Sequence, residues 1–189
     1  MTRSFTRTFA VVAFAAAAAV PAFAANDLTG TTVGIDWKFP DSSTTYATNS
    51  VVVGPGAEVS CAGGGAGTGL CVGFVDAATI DIGAQTLSLT IDSGAVAWTS
   101  SAFNGYEFSG LAAGGAWTGY TLSTSFAGLD ASRISFTPDA VWVNMQGITP
   151  DAGESFTISL TSTVPEPGNL ALLLAGLGAF AFTALRRRA

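Results

Sequence analysis

The stretch Thr31-Thr32-Val33-Gly34-Ile35-Asp36-Trp37-Lys38-Phe39 sets the fold class. Its apolar residues return at every second position. Val33, Ile35, Trp37 and Phe39 fall on one face of an extended chain, and Thr32, Gly34, Asp36 and Lys38 on the other. A period of two marks a strand with one dry and one wet face, whereas a helix needs spacings of three and four. Pro40-Asp41-Ser42 then turns the chain, since proline lacks a donor and aspartate bonds its own backbone.

The same period recurs downstream. Residues 51–53 run into Gly54-Pro55-Gly56, a break or bulge, and a strand resumes at Ala57 with Val59 and Cys61 on one face. Strands are predicted over 72–75 and 79–82. Gly83-Ala84 reads as a hairpin turn into 86–91, where Leu87, Leu89 and Ile91 share a face. Further strands are predicted over 95–98, 103–108 around an Asn104-Gly105 turn signal, 117–122, 133–136, 140–145 and 155–161. The last alternates Phe156, Ile158 and Leu160 with hydroxyl residues. No segment of the body keeps a helical period over three turns. Eight to ten short strands at this spacing predict an all-β body, an antiparallel β-sandwich or jelly roll.

Composition agrees. Between the two ends the chain holds two basic residues, Lys38 and Arg133, against twelve acidic ones, a net charge of 2 − 12 = −10. Serine and threonine are abundant there, and the usual fillers of helix surfaces are nearly absent. Hydroxyl-rich polar faces suit pleated sheets. So acidic a body repels nucleic acid and anionic membrane surfaces.

Cys61 and Cys71 are the only cysteines. In an oxidising compartment such a pair reads as a disulfide. Residues 62–70 between them carry five glycines, so a bridge removes much unfolded-state freedom, roughly 2–3 kcal/mol in the chain-entropy picture. The Cys-x-x-Cys spacing of a redox pair is missing. These glycines also lack the lysine and the following helix of a phosphate loop.

Residues 1–24 have the form of a secretory signal peptide. Arg3 and Arg7 precede an apolar helix over 9–20, Pro21 breaks it, and Ala22-Phe23-Ala24 supplies small residues where signal peptidase reads. At the other end Val164-Pro165-Glu166-Pro167 is an extended, donor-poor hinge. Residues 170–185 follow without a charge, and Arg186-Arg187-Arg188 closes the run. A helix over 168–185 is about 27 Å long, enough for a thin hydrocarbon core. The three arginines mark the cytoplasmic side. The expected organisation is a signal peptide over 1–24, a β-sandwich domain over 25–163 and a sorting tail with one transmembrane helix over 164–189.

The order Pro-Glu-Pro, apolar span, arginine cluster resembles the PEP-CTERM sorting domain of exopolysaccharide-producing Gram-negative bacteria. The resemblance covers about 26 of 189 residues. It implies recognition by an exosortase, a polytopic membrane enzyme with a catalytic cysteine. It also implies cleavage near Pro-Glu-Pro and release or re-attachment outside the cell. The expected partners are signal peptidase, exosortase and the inner membrane during export, and exopolysaccharide afterwards. The expected location is a single-pass membrane precursor, then the cell surface or extracellular space.

The body offers little chemistry. The chain has no histidine, which removes the commonest general base, proton shuttle and zinc ligand and leaves no Ser/His/Asp or Cys/His nucleophile. Asp76, Asp81, Asp92, Glu107, Asp139 and Glu154 offer carboxylates for a glycosidase pair, though Asp81, Asp92 and Asp139 read as turn or solvent positions. No clustered Asp-x-Asp-x-Asp-Gly loop marks a calcium site. Lys38, the only lysine, is the one amine an internal isopeptide could use. No enzyme, metal or cofactor is expected. Aromatic rings on the surface are the remaining lead, because sugars stack on them. Trp142 points opposite to its neighbours Val141 and Val143, and Trp117 and Tyr120 are the other candidates, with Trp98 and Tyr106 as further possible outward rings. The function expected is a structural or interaction role, with a carbohydrate-binding module as the alternative and a hydrolase as the weakest reading.

Overall fold

The computed structural model describes residues 26–61, 78–94 and 96–162. All of them lie within one compact unit, Ala25–Val164. The signal peptide, the strand predicted over 72–75, the glycine loop 62–70, Cys71, Asp76 and the sorting tail fall outside the described residues.

The described residues form ten strands: β1 (Thr32–Lys38), β2 (Thr45–Val52), β3 (Val59–Ser60), β4 (Ala78–Ile82), β5 (Thr86–Ile91), β6 (Gly105–Ser109), β7 (Gly119–Thr124), β8 (Ile134–Phe136), β9 (Ala140–Asn144) and β10 (Ser155–Thr161). Two short 3-10 turns, Leu111–Gly114 and Ala131–Arg133, are their only helical elements. One sheet runs β2-β1-β6-β9-β8, the other β3-β4-β5-β10-β7, and every pairing is antiparallel.

Alternation explains how the sheets share a core. Val33 and Ile35 of β1, Leu87, Leu89 and Ile91 of β5, and Phe156, Ile158 and Leu160 of β10 are buried in a single hydrophobic cluster drawn from both sheets. This is a sandwich-like, all-β arrangement. Fully burying each such side chain contributes about 1.5–3 kcal/mol, which is what holds the layers together.

Turn chemistry closes the hairpins. The Asp41 carboxylate accepts from the Ser43 and Thr44 amides, both at 2.9 Å, between β1 and β2. Glu58 accepts from the Gly54 amide at 3.0 Å and the Ile82 amide at 2.6 Å, tying the loop after β2 to the end of β4.

Residues 96–98 of the strand predicted over 95–98 do not form one, and Ala95 lies outside the described residues. Val96 and Trp98 are buried but belong to irregular chain, with the Trp98 amide donating to the Ile148 carbonyl at 3.0 Å. Asn104-Gly105 is not a turn either, because Gly105 opens β6 in the middle of its sheet. A Cβ there would overlap the Val143 carbonyl of β9, so the glycine serves close strand packing and not chain reversal.

Candidate functional site

Strand register lays a row of side chains across the outer face of the first sheet. Thr48 of β2 faces Asp36 of β1, Asp36 faces Glu107 of β6, Glu107 faces Trp142 of β9, and Trp142 faces Ser135 of β8. Trp142 is half-buried and alternates with the fully buried Val141 and Val143, so it does point outward.

Lys38 bridges the two carboxylates at the centre of this row. Its ammonium donates to Asp36 Oδ2 at 2.8 Å and to Thr45 Oγ1 at 2.7 Å, and pairs with Glu107 Oε2 at 2.9 Å. Thr48 Oγ1 donates to Asp36 Oδ1 at 2.6 Å. Burial alone would raise the Asp36 carboxyl, but hydrogen bonds from Lys38 and Thr48 outweigh it and hold Asp36 below the ordinary carboxylate range. Burial would likewise lower Lys38, and its bonds to Asp36 and Glu107 raise it instead. Both groups are therefore held as ions. Isopeptide formation needs a neutral amine as nucleophile, which this environment disfavours.

The candidate rings do not share a surface. Trp117 is 1% exposed and lies in the core, where its indole N–H donates to the Leu111 carbonyl at 2.8 Å. That bond lets a tryptophan be buried without an orphaned donor, and it corrects the outward reading of Trp117. Trp98 and Tyr106 are core residues too. Tyr120 is half-buried on β7, the edge of the second sheet. It lines an open groove of about 940 Å³ with Leu122, Leu129, Asp130 and Phe136. Its hydroxyl donates to the Ala131 carbonyl at 3.3 Å, and its ring lies 5.8 Å from that of Phe136.

A different aromatic cluster comes together at the end of β1. Trp37, Phe39 and Tyr46 line a pocket of about 210 Å³ with Ala97, Thr99 and Asn104. Among the described residues, no group of three or more metal-ligating side chains is present. No helix among them is long and apolar enough to cross a membrane, and residues 170–185 lie outside that set.

A family model, the PEP-CTERM protein-sorting motif, matches residues 163–188. The chain carries a PEP-CTERM motif. The match takes in Val164-Pro165-Glu166-Pro167, the apolar run and Arg186-Arg187-Arg188, the parts that sequence reading singled out. A PEP-CTERM motif marks an exported protein that an exosortase processes. Comparison with curated proteins and with solved structures gives no match.

Proposed function

We propose that this protein is an exported surface or extracellular-matrix protein whose β body has a structural and interaction role, in association with exopolysaccharide. The observation that carries the reading is the sorting motif at 163–188 following a separate compact unit, Ala25–Val164. Signal peptidase removes residues 1–24. Residues 170–185 hold a single-pass precursor in the inner membrane with Arg186, Arg187 and Arg188 inside. Exosortase then cuts near Pro165–Pro167. Cys61 and Cys71 pair once exported, which suits the burial of Cys61 in the core. On this reading the body has a non-catalytic role, in keeping with its lack of the commonest general base, and no nucleic-acid partner, in keeping with its strong acidity.

Mass spectrometry of secreted material tests the processing. An N-terminus near Ala25 and a C-terminus within 165–167 are expected, with the C-terminus appearing only when exosortase is present. Secreted protein that keeps Arg186-Arg187-Arg188 would overturn the reading.

The second reading is a carbohydrate-binding module riding the same tag. It is favoured by Tyr46, a large aromatic side chain 58% exposed beside two other rings.

A further inference from the structure

The pairing of β1 with β2 slips at one point. Trp37 faces Ala47 and Lys38 faces Thr45, so Tyr46 has no residue opposite it. Such a bulge bends the strand and re-aims a side chain. Here it brings Tyr46 over the end of β1, with its ring centroid 4.8 Å from Trp37 at 62° and 6.4 Å from Phe39 at 89°. The rings pack edge to face and together line a small cleft, with Tyr46 largely in solvent.

The cleft is held in shape from beneath. The Trp37 indole N–H donates to Asn104 Oδ1 at 2.8 Å. Asn104 is only 2% exposed, and its amide donates to the Thr99 carbonyl at 3.1 Å and to Thr99 Oγ1 at 3.3 Å. The floor amide is thus spent on the protein itself. The Tyr46 hydroxyl and the Thr99 hydroxyl hydrogen remain at the rim. No charged side chain lines the pocket. Asp36 and Lys38, the chain neighbours of Trp37, are joined to each other and to Glu107 on the outer sheet face. The Asp41 carboxylate is occupied by Ser43 and Thr44.

We infer that this pocket is a subsite for one neutral pyranose unit of a polysaccharide, an inference that rests on the carbohydrate-binding reading. A pyranose carries an apolar C–H face and a girdle of hydroxyls. It therefore meets aromatic walls and a hydroxyl rim better than an ion would. The volume, about 210 Å³, lies below the roughly 300–1,000 Å³ of sites for drug-sized ligands, so it accepts one ring and leaves the rest of a chain outside. A preformed cleft, clamped through Asn104, spares the binding step the cost of ordering the rings.

The test is titration of the full chain, purified in detergent, with β-linked glucose, mannose and galactose hexasaccharides, followed by tryptophan fluorescence and by retention on affinity gels. Two variants probe the pocket: Tyr46→Ala removes an exposed wall, and Ala97→Phe fills the space from the rim. Each should weaken binding about tenfold or more. Thermal unfolding of both checks the fold, and Ala97→Phe decides the matter if Tyr46→Ala unfolds. Binding undiminished by either variant but abolished by Trp142→Ala overturns the pocket assignment and leaves the carbohydrate reading standing on the outer face. Binding of tetramethylammonium in place of the hexasaccharides overturns it in favour of a cation site. No binding of any hexasaccharide defeats the carbohydrate reading and this inference with it.

Discussion

Lys38 shows how one residue can obey the strand period and still escape the reading drawn from it. Alternation places it outward with Thr32, Gly34 and Asp36, and outward it points; yet it is only 8% exposed. An ammonium has three donors, and Asp36, Thr45 and Glu107 take them. The pH behaviour follows. Lys38 is raised in the folded state, so its stabilising contribution is complete below the unfolded value, about 10.4, and is lost as pH climbs through the folded one. Asp36 is lowered, so its contribution is present above about pH 3.9 and is lost as pH falls through its folded value. Lys38→Met leaves Asp36 and Glu107 side by side without a counter-charge. It should cost about 2–4 kcal/mol near neutral pH, somewhat less than in a fully dry site because both carboxylates keep some solvent. Urea unfolding across pH checks this. Burial pushes the Tyr106 phenol well above its ordinary range, which adds an alkaline loss to both proteins, so only the difference between the two curves reports Lys38. That difference should shrink above about pH 10.4, and a constant difference would refute the assignment.

Gly105 makes the corresponding case at the scale of an element. β6 is the central strand of its sheet, flanked by β1 and β9. A Cβ on Gly105 would overlap the Val143 carbonyl and sit 3.1 Å from the Met145 amide nitrogen, both backbone atoms that cannot swing aside. Gly105→Ala should therefore destabilise by about 3 kcal/mol by chemical denaturation. Gly54→Ala, whose Cβ meets only the Val52 carbonyl at 4.0 Å, should stay within about 0.5 kcal/mol. Equal costs would show that the close approach of β6 and β9 is not what selects glycine. The sequence signal at Asn104-Gly105 is the one used for hairpins, and nothing local separates a glycine that turns from one that lets strands touch. The strands of the core were legible because burial on one face forces a period of two, as in Leu87, Leu89 and Ile91. β2 was legible only at its end. As an edge strand facing water for most of its length, Thr45–Val52 is free to be hydroxyl-rich without a dry face. The aromatic pocket was hidden for the same reason. It depends on a register slip at Tyr46, and alternation assigns Trp37 and Phe39 to the core. Trp117 ran the other way: its bond to the Leu111 carbonyl satisfies the indole N–H and so lets the ring be buried in the core.

Across the whole molecule, fold and address occupy different parts of the chain. Among the described residues, the ten strands lie between Thr32 and Thr161, and the core residues run from Leu28 to Leu160. The described core residues therefore all precede the sorting motif, which begins at residue 163. On the proposed reading, residues 170–185 span the bilayer and the three arginines stay on its inner side. Deleting residues 164–189 should consequently change where the protein goes and not how it folds. The truncated protein should keep the β spectrum and near-ultraviolet signature of the mature form, with an unfolding free energy within about 0.5 kcal/mol, the range expected when no packed contact is lost. In fractionated cells it should leave the membrane fraction and collect as soluble periplasmic protein, because no stop-transfer segment holds it for exosortase. Loss of cooperative unfolding on truncation would mean that the apolar run belongs to the core. An unchanged cellular distribution would mean that the motif is not the address.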